Sequence, residues 1–240
     1  MTKSAMTQPQ YDDIYVQALF DRMGRTYDLV NLVSSFGFSA LWRSQCVANL
    51  PITPGARVCD MMAGTGECWS HILRRGADPV ISIDFSRVMT ERQKLRRLSK
   101  GLPIDVRCEN AVATSIPPES VDFVVSAFGL KTLGDDGLVR FAREIRRILK
   151  PNGHFSLLEI SCGEDWCLGW LYRWYVAAII PLIGKICLGD IECYRTLGVY
   201  TKAFGSCEKV APVFRDLGLK VSVKSHFFGC ATSLIGGKML

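Results

Sequence analysis

Short apolar runs alternate along this chain with longer segments of helical spacing. Residues 120–127 form a nearly continuous apolar run, which is typical of a central strand that is buried on both faces. Residues 135–150 are amphipathic with helical periodicity, and the sequence Pro151-Asn152-Gly153 is predicted to end that helix. Strands that alternate with helices in this way predict an α/β fold with a parallel sheet and right-handed crossovers.

The same pattern predicts the remaining elements. The predicted strands are 57–60, 80–84, 104–108, 120–127 and 154–160, followed by a terminal hairpin of 219–224 and 227–235. The predicted helices are 11–36 with a break at Gly24, 38–50, 66–75, 87–100 with Ser86 as N-cap, 135–150 and 207–217. We expect residues 11–50 to form a helical cap on a single domain (11–240). Residues 1–10 are polar, and we expect a disordered tail and not a signal peptide.

One insertion, within residues 164–203, interrupts the alternation of strands and helices. Residues 166–188 are strongly apolar and long enough to suggest a membrane span. Arg173, Pro181 and Lys185 interrupt that run, and its Trp and Tyr residues suit an interface better than a bilayer centre. A lid over an apolar pocket, a helix that dips into the membrane surface and a true span all stay open. The first two indicate a lipophilic substrate.

The turn after the first predicted strand carries the strongest functional signal. Residues 58–67 read V-C-D-M-M-A-G-T-G-E, and a second apolar run ends at Asp84. This is the pattern of a βαβ nucleotide site, in which glycines let the backbone approach the ligand and the second acid accepts ribose hydroxyls. G-x-G-x-x-G and G-x-x-x-x-G-K-[ST] are both absent. The turn instead resembles that of class I enzymes that depend on S-adenosylmethionine (SAM).

Composition narrows the function further. The net charge is +6, and the densest Lys/Arg stretches have the spacing of solvated helix faces, so we expect no nucleic-acid partner. Attraction to an anionic membrane surface stays open. The ten cysteines include no C-x-x-C pair, which favours buried, reduced thiols in a cytosolic protein.

Motifs along most of the chain resemble the quinone C-methyltransferases of ubiquinone and menaquinone synthesis. The matching positions are Tyr27-Asp28-x-x-Asn31, Ser35-Phe36-Gly37, Leu41-Trp42-Arg43, 60–67, Asn110-Ala111, 127–130, Leu149-Lys150-Pro151 and Gly189-Asp190-x-Glu192-x-Tyr194-Arg195. The resemblance implies a Rossmann-like class I SAM-dependent methyltransferase fold. Its sheet would be mostly parallel and seven-stranded, with helices on both faces and an N-terminal helical cap, and its substrate a prenylated ring.

The resemblance also implies roles for individual residues. The cofactor-binding candidates are Asp60, Met62, Ala63, Gly64, Thr65, Gly66, Asp84, Phe85, Ser86, Asn110, Ala111 and Ser126. The substrate-binding candidates are Phe128, Asp190, Glu192 and Arg195, and the catalytic candidates are Lys131, Tyr194 and Tyr27. The lipophilic substrate implies a cytoplasmic protein that is peripherally associated with the inner membrane.

Several positions depart from the methyltransferase pattern. Lys131-Thr132 stands where those enzymes read Arg-Asn, and Met62 and Glu67 replace a small residue and an Asp. Val112 stands in place of an acid, and the segment 229–233 lacks a frequent His. These variants resemble the enzymes of rhodoquinone biosynthesis, which replace a ring methoxy of ubiquinone with an amino group. That resemblance implies SAM as amino donor and a divalent metal such as manganese.

In C-methylation the ring is electron-rich and attacks the methyl group, whereas in amination the ring is the electrophile. C-methylation needs a base for a phenol proton, whereas amination of an oxidised ring needs stabilisation of negative charge on a quinone oxygen. Lys131 would supply a cation, and a bulky Met62 would re-aim the methionine end of SAM. Each substitution is also explained by drift or core packing. Asp190 and Glu192 either bind a metal or are ordinary surface carboxylates. A quinone or terpenoid C-methyltransferase is the alternative function, and a lipid-binding or scaffold protein with a vestigial SAM fold is a third.

Overall fold

The computed structural model of the chain describes residues 11–24, 35–161, 169–179 and 191–239. The described residues form one sheet of seven strands flanked by helices. The strands are β1 (Val58–Met61), β2 (Val80–Asp84), β3 (Ile104–Cys108), β4 (Val121–Ala127), β5 (Leu149–Ile160), β6 (Leu219–His226) and β7 (Ala231–Lys238).

Eight α-helices are assigned in the same described ranges. They are α1 (Asp13–Met23), α2 (Phe38–Ala48), α3 (Trp69–Leu73), α4 (Arg87–Lys100), α5 (Gly134–Ile148), α6 (Gly169–Trp174), α7 (Ile191–Phe204) and α8 (Cys207–Asp216). A 3-10 turn (Leu130–Thr132) precedes α5, and a π-helical turn (Tyr175–Ile179) continues α6.

The strand order is β3-β2-β1-β4-β5-β7-β6. Strands β1 to β5 pair in parallel, whereas β7 is antiparallel to both β5 and β6. The order reverses at β1, where the crossovers leave in opposite directions, and the carboxyl ends of β1 and β4 border that point. In open α/β sheets this is where ligands bind.

Apolar side chains cover both faces of the sheet. On one face, α5 and α8 pack against the sheet through residues such as Phe141, Phe155 and Phe214, which are all fully buried. On the other face, α2 and α3 pack against the sheet through Trp42 and Trp69. Because both faces are covered, the central strands are nearly continuous apolar runs, as parallel sheets require.

Much of the predicted order is confirmed. The strands 80–84 and 104–108 and the helix 87–100 have the predicted bounds, and the Ser86 hydroxyl caps that helix by accepting the Met89 N–H at 3.1 Å. The seven-stranded, mostly parallel sheet with helices on both faces is confirmed as well.

Most other boundaries differ by one to three residues, and three predictions differ more clearly from the structure. The helix expected over 66–75 is only Trp69–Leu73, because the turn before it extends through Cys68. The Pro151-Asn152-Gly153 sequence lies inside β5 and does not end a helix, since Leu149 already pairs with Val121 of β4. Phe227 and Phe228 form the turn between β6 and β7 and are not part of a strand.

Helix α1 is held over the end of β2. The Gln17 side chain donates to the Phe85 carbonyl oxygen at 2.7 Å, and the Ser86 hydroxyl donates to the carboxylate of Asp21. The part of the apolar insertion that is described contributes α6 and its π-helical turn. No helix in the described ranges has the length and hydropathy needed to cross a membrane.

Candidate active site

A cavity lies at the carboxyl ends of β1, β2 and β4. It is partly enclosed and bordered by α1. Its lining residues are Asp13, Val16, Phe20, Met62, Gly64, Glu67, Asp84, Phe85, Met89, Asn110, Ala111, Ala127, Phe128, Gly129, Thr132 and Leu133. Its walls are mostly apolar with a few polar groups, the usual character of a small-molecule site.

The turn after β1 has a backbone that requires glycine. Gly64 and Gly66 have φ values of 57° and 82°. A Cβ atom on Gly66 would lie 2.3 Å from the Trp69 ring, so the turn and the ring fit only around a glycine. Gln93 supports the turn from α4, because its side-chain amide donates to the Gly64 carbonyl oxygen at 2.6 Å.

Asp84 closes one side of the cavity. Its Oδ2 accepts the Gly64 N–H at 2.8 Å, and its Oδ1 accepts the Ser86 N–H at 2.9 Å. Burial raises the pKa of Asp84 to about 7, and the two N–H donors oppose that rise. The carboxylate is therefore fixed in place with acceptor capacity left over, which suits a ligand with hydroxyl groups.

Asp60 is a buried carboxylate whose oxygens both lack a hydrogen-bond partner among the described residues. Burial, reinforced by the charge of Glu67, raises its pKa to about 8. A buried polar group without a partner requires a physical explanation. A ligand that brings an ammonium group would supply the missing donor and the missing countercharge.

Asn110 and Ala111 form the wall next to β3. The Asn110 side chain accepts the Val112 N–H at 3.1 Å and donates to Asp13 of α1 at 3.0 Å. This pair of bonds ties the loop after β3 to α1 across the cavity. The loop backbone is thereby held where a flat ring could lie against Ala111.

An ion pair lies behind the wall after β4. Nζ of Lys131 lies 2.7 Å from Oε1 of Glu159, and both side chains are buried. Nζ also donates to the carbonyl oxygen of Phe128 at 2.8 Å. Phe128 itself lines the cavity and has a φ of 69°, a strained value for a residue that is not glycine.

A second cation contacts the same wall from α2. Nη2 of Arg43 lies 2.7 Å from Oε1 of Glu67, and its guanidinium lies over the Phe128 ring at 4.8 Å from the centroid. Glu67 and Phe128 both line the cavity. The wall therefore holds an ion pair, with the Glu67 carboxylate at the cavity and the Arg43 guanidinium buried behind Phe128.

Comparison with known proteins decides the family. The sequence pattern of the ubiE/COQ5 methyltransferase family matches residues 7–238. The chain belongs to this family. A demethylmenaquinone methyltransferase of Lactiplantibacillus plantarum is 30% identical over 229 residues, which cover 93% of this chain and 95% of that protein.

A second relative and a solved structure agree with this assignment. The ubiquinone/menaquinone biosynthesis C-methyltransferase UbiE of Pseudoalteromonas translucida is 28% identical over 226 residues, covering 92% of this chain and 89% of that protein. A SAM-dependent methyltransferase from Aquifex aeolicus superposes with a TM-score of 0.55 at 18% identity, covering 77% of this chain and 83% of that one. At that identity the superposition supports the fold alone. The fold of this ubiE/COQ5 family member is that of a class I SAM-dependent methyltransferase.

The structure brings half of the predicted cofactor residues to the cavity wall. Met62, Gly64, Asp84, Phe85, Asn110 and Ala111 line the cavity. The other six stand behind the wall or beside it in the described structure, namely Asp60, Ala63, Thr65, Gly66, Ser86 and Ser126. Among these, the Ser126 hydroxyl is buried with no partner among the described residues. Their roles in binding SAM stay predictions.

Fewer of the predicted substrate-binding and catalytic residues lie at the cavity in the described structure. Phe128 lines the cavity. Tyr27 and Asp190 lie outside the described residues, as do the side chains of Glu192 and Tyr194 on α7. Arg195 is exposed on the same helix and, within the described structure, does not line the cavity. Lys131 does not line it either, because its ammonium is directed to Glu159.

The sequence analysis did not predict several residues that the structure places at or near the site. Arg43 was visible within the L-W-R motif, but nothing there indicated that it pairs with Glu67. Glu159 interrupts the apolar run of β5, and a lone acid in such a run was a usable signal for a buried partner. Gln93 and Asp21 carried no signal, because their roles depend on helix packing.

The described residues also bear on the predicted metal. No cluster of three or more His, Cys, Asp or Glu side chains that could hold a metal ion occurs in the ranges that the structure describes. Asp190 and the side chain of Glu192 lie outside those ranges. A metal site that includes them stays a prediction.

Proposed function

We propose that this chain is a SAM-dependent transferase that modifies the ring of a prenylated quinone. Methyl transfer to a ring carbon of a demethylated quinol is the reaction that the family relationship favours. The observation that carries the proposal is that one cavity has a polar wall and an apolar wall. The carboxylates of Asp84 and Glu67 lie at the polar wall, with Asp60 buried behind it. Met62, Phe128 and Leu133 line the apolar wall.

The residues present fit SAM. The unpartnered Asp60 carboxylate suits the α-ammonium group, and Asp84 has acceptor capacity for ribose hydroxyls. Asn110 and Ala111 would hold the adenine edge. When bound, SAM supplies an electrophilic methyl group on its sulfonium. The turn at Gly64 and the wall at Phe128 would fix the distance between donor and ring and would exclude water.

Methyl transfer to a ring carbon also needs an acceptor for the phenol proton. Glu67 is a carboxylate on the cavity wall, and its ion pair with Arg43 would favour the ionised form. Tyr27 and Tyr194 are further candidates from the sequence. On this proposal Glu67, held in place by Arg43, accepts the phenol proton. The ring carbon that gains the methyl group then gives up its own proton, which restores the aromatic ring and the hydroxyl group.

A second reaction is favoured by the residues that depart from the methyltransferase pattern. Replacement of a ring methoxy by an amino group would turn ubiquinone into rhodoquinone. Val112, which stands in place of an acid, is buried in the core, and the Ser233 hydroxyl is bonded to Nε2 of His226 at 2.8 Å. Neither position offers a base to the ring. An electrophilic quinone needs positive charge near its oxygen instead. Arg43 could supply it only by leaving its ion pair with Glu67, since its guanidinium lies over the Phe128 ring and not in the cavity.

In this second reaction Lys131 would act indirectly and would not contact the quinone. Its ammonium is neutralised by Glu159 and bonded to the Phe128 carbonyl oxygen. Lys131 would therefore hold Phe128 against the ring and would act through that residue. Manganese or another divalent metal, if required, would have to be bound in part by residues such as Asp190 or Glu192.

One experiment separates the two reactions. The purified chain is incubated with SAM, with and without manganese, and with either ubiquinone or a demethylated quinol, and the products are weighed by mass spectrometry. Gain of one methyl on the quinol supports methyl transfer. Loss of a methoxy with gain of an amino group on ubiquinone supports the second reaction, and SAM labelled with ¹⁵N then tests the source of the nitrogen.

An Asp84→Asn variant serves as the control with weakened SAM binding. No turnover of either substrate by a protein that binds SAM would contradict both.

The substrate sets the expected location. A prenylated quinone resides in a bilayer, so we propose that the chain works at the cytoplasmic surface of the inner membrane. The net charge of +6 is consistent with attraction to anionic lipids.

A further inference from the structure

Three exposed phenylalanines of this chain share an unusual backbone. Phe36, Phe227 and Phe228 all have positive φ, at 49°, 41° and 54°. A bulky residue with positive φ is a genuine outlier, because its Cβ approaches its own carbonyl oxygen. Phe36 is 78% exposed and Phe228 63% exposed. Strained turns that display apolar rings to solvent require an explanation in function.

One of these phenylalanines contacts the helical segment that carries two exposed tryptophans. The Phe36 ring lies 5.8 Å from the ring of Tyr175, which follows Trp174 in the chain. Trp170 stands four residues earlier on α6, and both tryptophans are exposed. We call Phe36, Trp170, Trp174, Phe227 and Phe228 the aromatic edge. It is assembled from three segments that are far apart in the sequence.

An apolar path joins the aromatic edge to the cavity. The Phe227 ring lies 4.6 Å from the Phe38 ring, which lies 5.5 Å from the Trp42 ring. Trp42 belongs to the same apolar cluster as Phe128, which lines the cavity. The turn at Phe227 also stands at the cavity's edge of the sheet, because Ala231 pairs with Ile160 at the carboxyl end of β5.

We propose that the aromatic edge docks this chain on a lipid bilayer with anionic headgroups, and that the prenylated ring passes between bilayer and cavity along this side. Tryptophan and phenylalanine rings partition into the interfacial zone of a bilayer, and a net charge of +6 adds attraction to anionic lipids. The route for the substrate rests on the proposed function; docking on the bilayer does not.

The turn itself allows a sharp test. Asn and Gly tolerate positive φ far better than Phe, so F227N/F228G removes both rings and also relieves the backbone. Relief of the backbone offsets the contact of Phe227 with Phe38 that the variant loses, so we expect the variant to stay folded. If the rings are kept for the bilayer, the folded variant loses vesicle binding by roughly tenfold or more.

The measurement is flotation of the full-length chain with vesicles of phosphatidylcholine alone or with added phosphatidylglycerol, over a salt series. The matched control is L95Q/L98Q, which removes two exposed leucines from α4, outside the aromatic edge. We expect wild type and L95Q/L98Q to bind the anionic vesicles alike and F227N/F228G to bind weakly. Equal binding by all three proteins, or no binding by the wild type, would overturn the proposal.

Two further readouts separate this proposal from its alternatives. If F227N/F228G converts a dimer into a monomer in size-exclusion chromatography, the edge joins two copies of the chain and the bilayer proposal is overturned. Turnover of a short-tailed quinone in solution should be the same in wild type and F227N/F228G, whereas turnover of a long-tailed quinone in vesicles should fall. Absence of turnover with intact vesicle binding would reject the proposed function and leave the docking surface standing.

Discussion

The ammonium of Lys131 lies 2.7 Å from the carboxylate of Glu159 in the interior of the protein, where both side chains are almost fully buried. Oε2 of Glu159 also accepts the backbone N–H of Lys131 at 3.1 Å. The pair therefore joins the loop after β4 to the end of β5. Nζ of Lys131 also donates to the carbonyl oxygen of Phe128, which is why we propose that Lys131 positions Phe128.

Removing one member of this pair should cost more than removing both. E159Q leaves a buried ammonium without its countercharge, and we expect about 3–5 kcal/mol of lost unfolding free energy. K131M leaves the carboxylate and should cost a similar amount, while K131M/E159L should cost less than either single substitution. Urea unfolding measures all three. Additive losses would show that the two side chains act independently.

A K131R variant tests the positioning role. The charge is kept, but the planar guanidinium does not reproduce the contacts of a compact ammonium. We expect kcat to fall and the affinity for SAM to stay, because Phe128 shifts while Asp60 and Asp84 do not. A lower affinity for SAM with unchanged kcat would contradict this role.

Asp60 should make stability and ligand binding depend on pH. Its pKa is raised from an ordinary value of 3.8 to about 8, so between these pH values the folded chain keeps a proton that the unfolded chain has lost. The stability contributed by this group is complete below pH 4 and is lost as pH rises towards 8. D60N should therefore be more stable than wild type at pH 8, by an amount on the order of a few kcal/mol, and similar to it near pH 4. Thermal unfolding at both pH values checks this.

The same group should control affinity for SAM. An ammonium ligand binds the ionised carboxylate, so calorimetry should show wild-type affinity rising between pH 6 and about 8. D60N should bind more weakly and lose this part of the rise. An unchanged pH profile in D60N would mean that Asp60 does not contact the ligand.

Met62 and Gly129 should be coupled. A Cβ atom on Gly129 would lie 2.7 Å from Sδ of Met62 and 3.0 Å from its Cβ. G129A should therefore destabilise the protein by about 1–3 kcal/mol through overpacking. G129A introduced into M62A should cost much less, because the clashing side chain is gone. A double-mutant cycle of unfolding free energies measures the difference, and no coupling would show that the loop moves freely away.

Gln93 should support the cofactor turn from a distance. Its side-chain oxygen accepts from the Ser82 hydroxyl at 2.9 Å, which in turn accepts from Nε1 of Trp69 at 3.1 Å, while its amide donates to Gly64. Q93L breaks this buried chain and leaves polar groups unpaired. We expect a loss of about 1–3 kcal/mol in stability and weaker binding of S-adenosylhomocysteine. The control is K94Q on the exposed side of α4; a loss in K94Q equal to that in Q93L would contradict the assignment.

The sequence by itself determined the order of the elements and the place of the cofactor turn. Val80–Asp84 and Arg87–Lys100 were predictable because an apolar run, a cap at Ser86 and a helical period are all local signals. The nearness of the glycines after β1 to Asp84 was likewise predictable, because a βαβ unit places the ends of its two strands side by side, and the Gly64 N–H does donate to Asp84.

Only the tertiary structure decided which side chains meet. The local turn signal of Pro151-Asn152-Gly153 was overridden by pairing of β5 with β4, and the apolar Phe227 and Phe228 were forced into a turn by the pairing of His226 with Ala231. Lys131 looked in the sequence like a cation for the substrate, and the fold gave it Glu159 from a strand 28 residues away. Such pairs depend on contacts between distant segments, which no local pattern of residues records.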